Sequence, residues 1–233
     1  MKALVCILLT LIACHVEALQ IYDDFSTPNW ISFNTTGVNV YEQQGKLKID
    51  FLGTAKGATL GGQQGVITGG YGSTCRLEGD FDVAVDWSTP LLPFAHGVRV
   101  GFAVSDGPLW LSDGGASMVG MVVRSTDIET GDGYISSILE RSSGNYRYTT
   151  DKAGRFRIKR VGLTLSVYFW DKVALKWTLA GYSSFTSNPV YMYLSSWSYD
   201  GLFGDGLFRR SQVQVKTTFD NVRITSGVCA KPS

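Results

Sequence analysis

The sequence predicts an all-β fold, with two antiparallel sheets packed face to face as a sandwich. Three observations predict it. Segment after segment alternates apolar with polar residues, most clearly between Gly154 and Thr178. There Phe156 and Ile158 alternate with Arg155, Arg157 and Lys159, and Leu163, Leu165, Val167 and Phe169 alternate with Thr164, Ser166, Tyr168 and Trp170. Strand side chains point to opposite faces with period two, so each segment has an apolar face that must be laid on another sheet. The 233 residues include 27 Gly and 12% aromatic residues, which suits many short strands joined by turns. Beyond the N-terminal run there is no long apolar pattern at helical spacing and no repeat of about 20–50 residues.

The elements follow in order. Residues 21–25 read as a short first strand, and Trp30 and Phe33 as part of an irregular piece. Residues 38–41 and 46–51 flank Gln44-Gly45 as a hairpin. Residues 53–72 read as a long Gly-rich loop with one short strand at 65–68. Residues 75–87 form a long strand that Pro90 and Pro93 end, with Phe81, Val83, Val85 and Trp87 on one face and Asp82, Ala84 and Asp86 on the other. Residues 97–105 turn Val98, Val100, Phe102 and Val104 inward, and Arg99 outward, where it pairs with Asp82 or Asp86 if the two strands are neighbours. Strands at 117–124 and 134–140 are separated by a loop over 126–133. The 154–178 meander turns at Asp171-Lys172. Residues 190–197 form an apolar and aromatic strand, and 198–207 a loop. Val213, Val215, Thr217 and Phe219 keep one phase while Val222 and Ile224 keep the other, which predicts a bulge at Asp220-Asn221. The expected inter-sheet core is Phe81, Val83, Val85, Val98, Val100, Phe102, Phe156, Ile158, Leu163, Leu165, Val167 and Val215.

Lys2, the apolar run from Ala3 to Cys14 and the small residues around Ala18 read as a secretion signal cleaved after residue 18, leaving residues 19–233 as one domain. The alternative is that Leu11-Ile12-Ala13-Cys14, which resembles a bacterial lipobox, leaves the chain lipid-anchored through Cys14. Cleavage leaves Cys75 and Cys229 as the only cysteines, most simply one disulfide. Asn34-Thr35-Thr36 is an N-glycosylation sequon.

The Arg-alternating strand, the strand ending in Tyr168-Phe169-Trp170 and the Lys176-Trp177-Thr178 return carry a resemblance. So do the opening Asp23-Asp24-Phe25-Ser26, the strand from Gly79 to Trp87 and the closing strand from Phe219 to Ile224. Together they resemble the laminin-G-like members of the concanavalin A-like lectin/glucanase superfamily. The resemblance implies a jelly-roll arrangement of the two sheets. It also implies a secreted, lectin-like protein that binds polysaccharide or glycoconjugate without catalysis. Two alternatives stand beside it: a glycan-cleaving or glycan-modifying enzyme of the same fold, and a structural matrix or coat protein.

A formal net charge of +1 gives no global pull toward nucleic acid or anionic membrane, and no later stretch has the length and apolarity of a transmembrane helix. Glycoside hydrolysis generally uses two carboxyl groups flanking the bond. The E-x-D-x-E motif that the resemblance implies for a laminarinase-like enzyme is absent. Asp82 and Asp86 share a strand face but stand about 13 Å apart. His96 is the only histidine after residue 18, and no G-x-S-x-G elbow is present. No catalytic residue and no cofactor are therefore expected. Oxygen ligands for calcium are offered by the loop with Asp127, Glu129 and Asp132, and more weakly by Asp200 and Asp205. For sugar binding, aromatic rings that stack on the C–H face of a sugar are the natural candidates. Trp110, Trp197 and Tyr199 form the first group, with Asp200 and Asp205 as hydrogen-bond acceptors, and Tyr168 and Trp170 form a second.

Overall fold

The computed structural model describes residues 21–23, 25, 29–60, 63–92, 97–108, 118–127, 131–138, 147–199 and 214–231. These hold β1 (Ile21–Asp23), β2 (Trp30–Asn34), β3 (Val38–Gln43), β4 (Lys46–Phe51), β5 (Ala58–Leu60), β6 (Gln63–Ser73), β7 (Arg76–Leu91) and β8 (Arg99–Ser105). The second half holds β9 (Val119–Asp127), β10 (Gly131–Ile138), β11 (Arg147–Tyr148), β12 (Ala153–Val161), β13 (Thr164–Asp171), β14 (Lys176–Ser184), β15 (Tyr191–Tyr199) and β16 (Val215–Ala230). One sheet, A, runs β14-β13-β12-β7-β16-β4-β3, with β1 paired to β16. The other, B, runs β11-β10-β9-β8-β15-β6-β2, with β5 paired to β6. All pairings are antiparallel, and the two sheets make the sandwich that the alternation predicts, in the jelly-roll arrangement that the resemblance implies.

Local chemistry explains several of the elements. The β3–β4 hairpin closes on Gln44 and Gly45 at φ 57° and 69°, the conformation whose twist matches that of the flanking strands. β16 changes phase where expected: its pairing to β7 skips between Asp220 and Arg223, and Asn221 sits at φ 52°. The bulge turns Phe219 and Val222 to the same buried side. Cys75 and Cys229 are disulfide-bonded, with Cα atoms 5.2 Å apart, closing 154 residues of chain.

The expected core residues are all buried except Leu163, which is 61% exposed. β13 begins at Thr164, so Leu163 sits with Gly162 (φ 56°) in the turn beyond the sheet. Further departures have physical causes. Trp30 and Phe33 belong to a strand, β2, paired to β6. The Gly-rich stretch is largely β6, eleven residues long. Its glycines are forced by close approach: a Cβ on Gly69 would stand 2.5 Å from Val38 Cγ1, and one on Gly70 would stand 2.5 Å from the Leu194 carbonyl oxygen. β7 continues past Pro90 because Leu91 still pairs with Lys216. The 126–133 stretch is mostly ladder, with Asp127 opposite Gly131 and Asp132 opposite Thr126. Arg99 lies in the sheet opposite to Asp82 and Asp86, which instead pair with Arg157 and with Arg155 and Arg223.

Two arginines are buried in the sandwich. Arg160 shares the inward face with Phe156 and Ile158 and is 1% exposed. Its Nε donates to the Gly79 carbonyl at 2.8 Å, and its Nη1 donates to those of Thr186 and Asn188 at 3.1 and 2.7 Å. Arg124 Nε donates to the Asp151 carbonyl at 3.0 Å, and Nη1 meets Asp132 Oδ1 at 3.2 Å. Each cation ties a turn or loop to a strand, because a buried guanidinium must find acceptors for its donors.

Two outcomes test this packing. Leu165→Ala should lower stability by about 2–5 kcal/mol, as expected for a fully buried leucine, and Leu163→Ala should change it by less than about 0.5 kcal/mol, as expected at the surface. Urea unfolding of both variants checks it, and equal shifts would contradict the placement of the turn. The denatured, unreduced protein should show no titratable thiol at Cys75 or Cys229, and reduction should cost about 4–5 kcal/mol by the loop-entropy model.

Candidate functional site

With the inner faces fixed, the outer face of sheet B is read from the strand register. One row crosses it as Phe33, Gly70, Ser195, Gly101, Val123 and Ile135, each the cross-strand partner of the next. The next row crosses as Thr68, Trp197, Arg99, Ser125, Gly133 and Tyr148. The first row is nearly without side chains at its centre. A Cβ on Gly101 would stand 2.9 Å from Trp197 Cζ3, and one on Gly70 would stand 2.7 Å from Phe33 Cζ. The Trp197 and Phe33 rings therefore lie close over strand backbone that only glycine leaves uncovered. Both rings are half-buried, as are Thr68 and Ser195 beside them. The result is a strip in which the Phe33 ring covers Gly70, the Trp197 ring covers Gly101 and Ser195 lies between them.

The structure places the sequence candidates unevenly. Trp197 and Tyr199 are on β15, which runs two residues further than the sequence suggests. Trp110, Asp200, Asp205 and Glu129 lie outside the described residues, as does the Tyr199 side chain. Tyr168 and Trp170 belong to the outer face of sheet A, so the two aromatic groups sit on opposite sides of the sandwich. Of the calcium candidates, Asp132 is buried and its carboxylate meets Arg124. No cluster of three metal-ligating side chains occurs among the described residues. Asn34 is exposed, its amide donating to the Val38 carbonyl at 2.5 Å.

The outer face of sheet A is a lattice of rings and cations. Trp170 and Trp177 pack edge to face at 5.5 Å. Arg155 lies over Trp170 at 5.5 Å, and Arg157 over Tyr168 at 5.7 Å and over Trp177 at 5.5 Å. Arg157 also grips Asp82 with two hydrogen bonds, one of them from Nε to Oδ1 at 2.7 Å. Stacked guanidinium groups cover these rings, so Tyr168 and Trp170 are half-buried and engaged rather than open. The sequence reading missed Phe33 and the glycines. The clustering of Gly69, Gly70, Gly72 and Gly101 was the available signal.

At the end of β13, Asp171 is buried beside a turn. Its Oδ1 accepts from Val173 N and Ala174 N, each at 3.0 Å, and Arg147 Nη2 lies 2.6 Å from Oδ2. The Ala174 backbone bond, then that from Val173 and the Arg147 charge, outweigh burial and hold this carboxyl below its ordinary value of 3.8. A depressed folded value stabilises the fold above the unfolded pKa, and that contribution is lost as pH falls through the folded one. Acid titration of stability should therefore be shallower below about pH 4 in Asp171→Asn than in the unaltered chain. Identical slopes would show that Asp171 is not the coupled group.

No protein-family model and no curated protein matches the chain. Similar solved structures share its fold at low identity. One, from work on endo-acting O-glycanases of the human gut microbiota, aligns with a TM-score of 0.58 at 14% identity, covering 88% of this chain and 97% of that one. The β-glucanase of Bacillus licheniformis aligns at 0.54 and 13%, covering 89% and 98%. The carbohydrate recognition domain of Emp47p aligns at 0.55 and 10%, covering 90% and 95%. The chain thus has the concanavalin A-like jelly-roll fold, shared by glycan-cleaving and glycan-recognising proteins alike.

Proposed function

We propose that this chain is an extracellular protein that holds a glycan on the outer face of sheet B and does not cleave it. The observation that carries this reading is the pair of half-buried rings on this face, Phe33 over Gly70 and Trp197 over Gly101, on either side of Ser195. A sugar ring presents an apolar C–H face that an aromatic ring can cover, while Thr68 and Ser195 supply hydroxyls beside it. Hydrolysis needs a pair of flanking carboxyl groups. Among the strand positions of this face whose side chains are described, none is acidic. That favours binding over cleavage. The similar structures supply precedent for both activities on this fold and do not choose between them. Secretion after residue 18, and a glycan on Asn34, belong to the same extracellular reading, with which the Cys75–Cys229 disulfide agrees.

Calorimetry of the mature protein against mixed-linkage β-glucan and mucin tests it. The polysaccharide that binds should bind Trp197→Ala at least about tenfold more weakly, a loss of about 1.4 kcal/mol. The thermal midpoint should move by no more than about 3 °C. No reducing ends should appear on prolonged incubation. Unchanged affinity would move the site elsewhere, and release of reducing ends by the unaltered chain would make it an enzyme.

A further inference from the structure

A cavity of about 280 Å³ opens at the end of the sandwich, between the β10–β11 end of sheet B and the β13–β14 turn of sheet A. It is separate from the strip over Gly70 and Gly101. Tyr134, Phe169 and Asp171 come to it from the inner faces, and Arg147, Asp151, Lys172, Tyr148 and Trp170 are among the other residues that line it.

Its carboxylates are held before any ligand arrives. Asp151 Oδ2 accepts from the Tyr134 hydroxyl at 3.0 Å, and Lys172 Nζ lies 3.3 Å from Oδ1. The Asp151 backbone is fixed as well, its N–H donating to Thr149 Oγ1 at 3.1 Å and its carbonyl accepting from Arg124 Nε at 3.0 Å. Burial, with the Asp151 charge beside it, raises the Tyr134 hydroxyl far above its ordinary range, so it remains a donor. Asp171 is only 6% exposed. Its Oδ2 has the Arg147 charge contact at 2.6 Å but no hydrogen bond of acceptable geometry. A buried carboxylate oxygen in that condition has acceptor capacity left over.

The lining charges are balanced, with Arg147 and Lys172 facing Asp151 and Asp171. An anionic ligand would meet two carboxylates, and a cationic ligand two cations. A neutral polyhydroxy ring meets neither penalty, because each hydroxyl both donates and accepts. The cavity lies just below the roughly 300–1,000 Å³ typical of drug-sized ligands, which suits a single ring. Its rims are aromatic: Trp170 on the outer face of sheet A and Tyr148, 65% exposed, on sheet B. Arg147 and Lys172 are about half exposed and reach it from the two sheets.

We infer that this cavity is a second carbohydrate site, which takes one terminal, uncharged sugar residue rather than the length of a chain. It shares its ligand class with the proposed function and rests on that reading for its setting. Tyr148 lies in the same cross-strand row as Trp197, four strand spacings away, or roughly 19 Å. The two sites are therefore separable by mutation.

Saturation-transfer NMR of the mature protein tests this with the methyl glycosides of glucose, galactose, mannose, xylose and N-acetylglucosamine. At least one should receive transfer. Tyr148→Ala and Lys172→Ala should each weaken it by about fivefold or more, the scale of one lost charge-assisted or stacking contact. Tyr148 is largely exposed and Lys172 about half exposed, so both variants should keep the parent thermal midpoint. Trp197→Ala should leave the methyl glycoside signal in place. No transfer to any of the five overturns the inference, and the strip then stands or falls on polysaccharide calorimetry alone. Loss in Tyr148→Ala with none in Lys172→Ala assigns the sugar to the outer face of sheet B and also overturns it, as does loss in Trp197→Ala.

Discussion

The inner faces of the two sheets meet through aromatic rings, and that contact sets the position of every other group. Tyr134 of β10 stacks on Phe169 of β13 at 4.2 Å and meets Phe156 of β12 edge-on at 6.3 Å. Phe156 in turn stacks on Trp87 of β7 at 5.3 Å. Each such pair adds about 0.5–1.5 kcal/mol beyond the area it buries. Once these rings face inward, period-two alternation leaves no freedom on the outside, because a one-residue slip in any strand would turn its whole apolar set to solvent.

Two consequences reach the surface. On sheet A the outward residues are long and charged, and they close over their own aromatic neighbours: Arg155, Arg157 and Arg223 engage Asp82 and Asp86 while two of them stack on rings. On sheet B the outward residues at the centre are Gly70, Ser195 and Gly101, which leave backbone for rings to lie on. The same architecture thus covers one face with paired cations and rings and leaves the centre of the other with few long side chains. The difference lies in side-chain size rather than in charge. Between the sheets, Arg124 fastens the Asp151 loop that frames the terminal cavity, while Arg160 fastens Gly79 and the loop after β14 at the opposite end of the sandwich.

Much of this was legible from residue order. Hairpins, the β16 bulge and the inward sets of β7, β8, β12 and β13 follow from alternation and turn chemistry, which are local. Strand ends are less local: Leu163 has the right phase but lies one residue beyond β13, and phase cannot say where pairing stops. The β6 strand was hidden because Gly is a poor strand former by propensity. Gly69 is there because Val38 and Ile49 of another sheet approach it, which is tertiary information. Arg160 follows directly on the outward Arg155, Arg157 and Lys159, and only its place in the register shows it buried. The candidate aromatics were chosen by type and by position beside turns. Residue order does not reveal that Trp170 and Trp197 belong to different sheets, nor that glycines make the floor beneath Trp197.

The central claim is that sheet B, through Trp197, is the glycan-facing side. Hydroxyl-radical footprinting read by mass spectrometry addresses it directly, because oxidation reports side-chain access one tryptophan at a time. With saturating polysaccharide, Trp197 oxidation should fall several-fold while Trp177, on the outer face of sheet A, keeps its rate. Protection of Trp177 with Trp197 unchanged would contradict the account and move recognition to the opposite side of the sandwich.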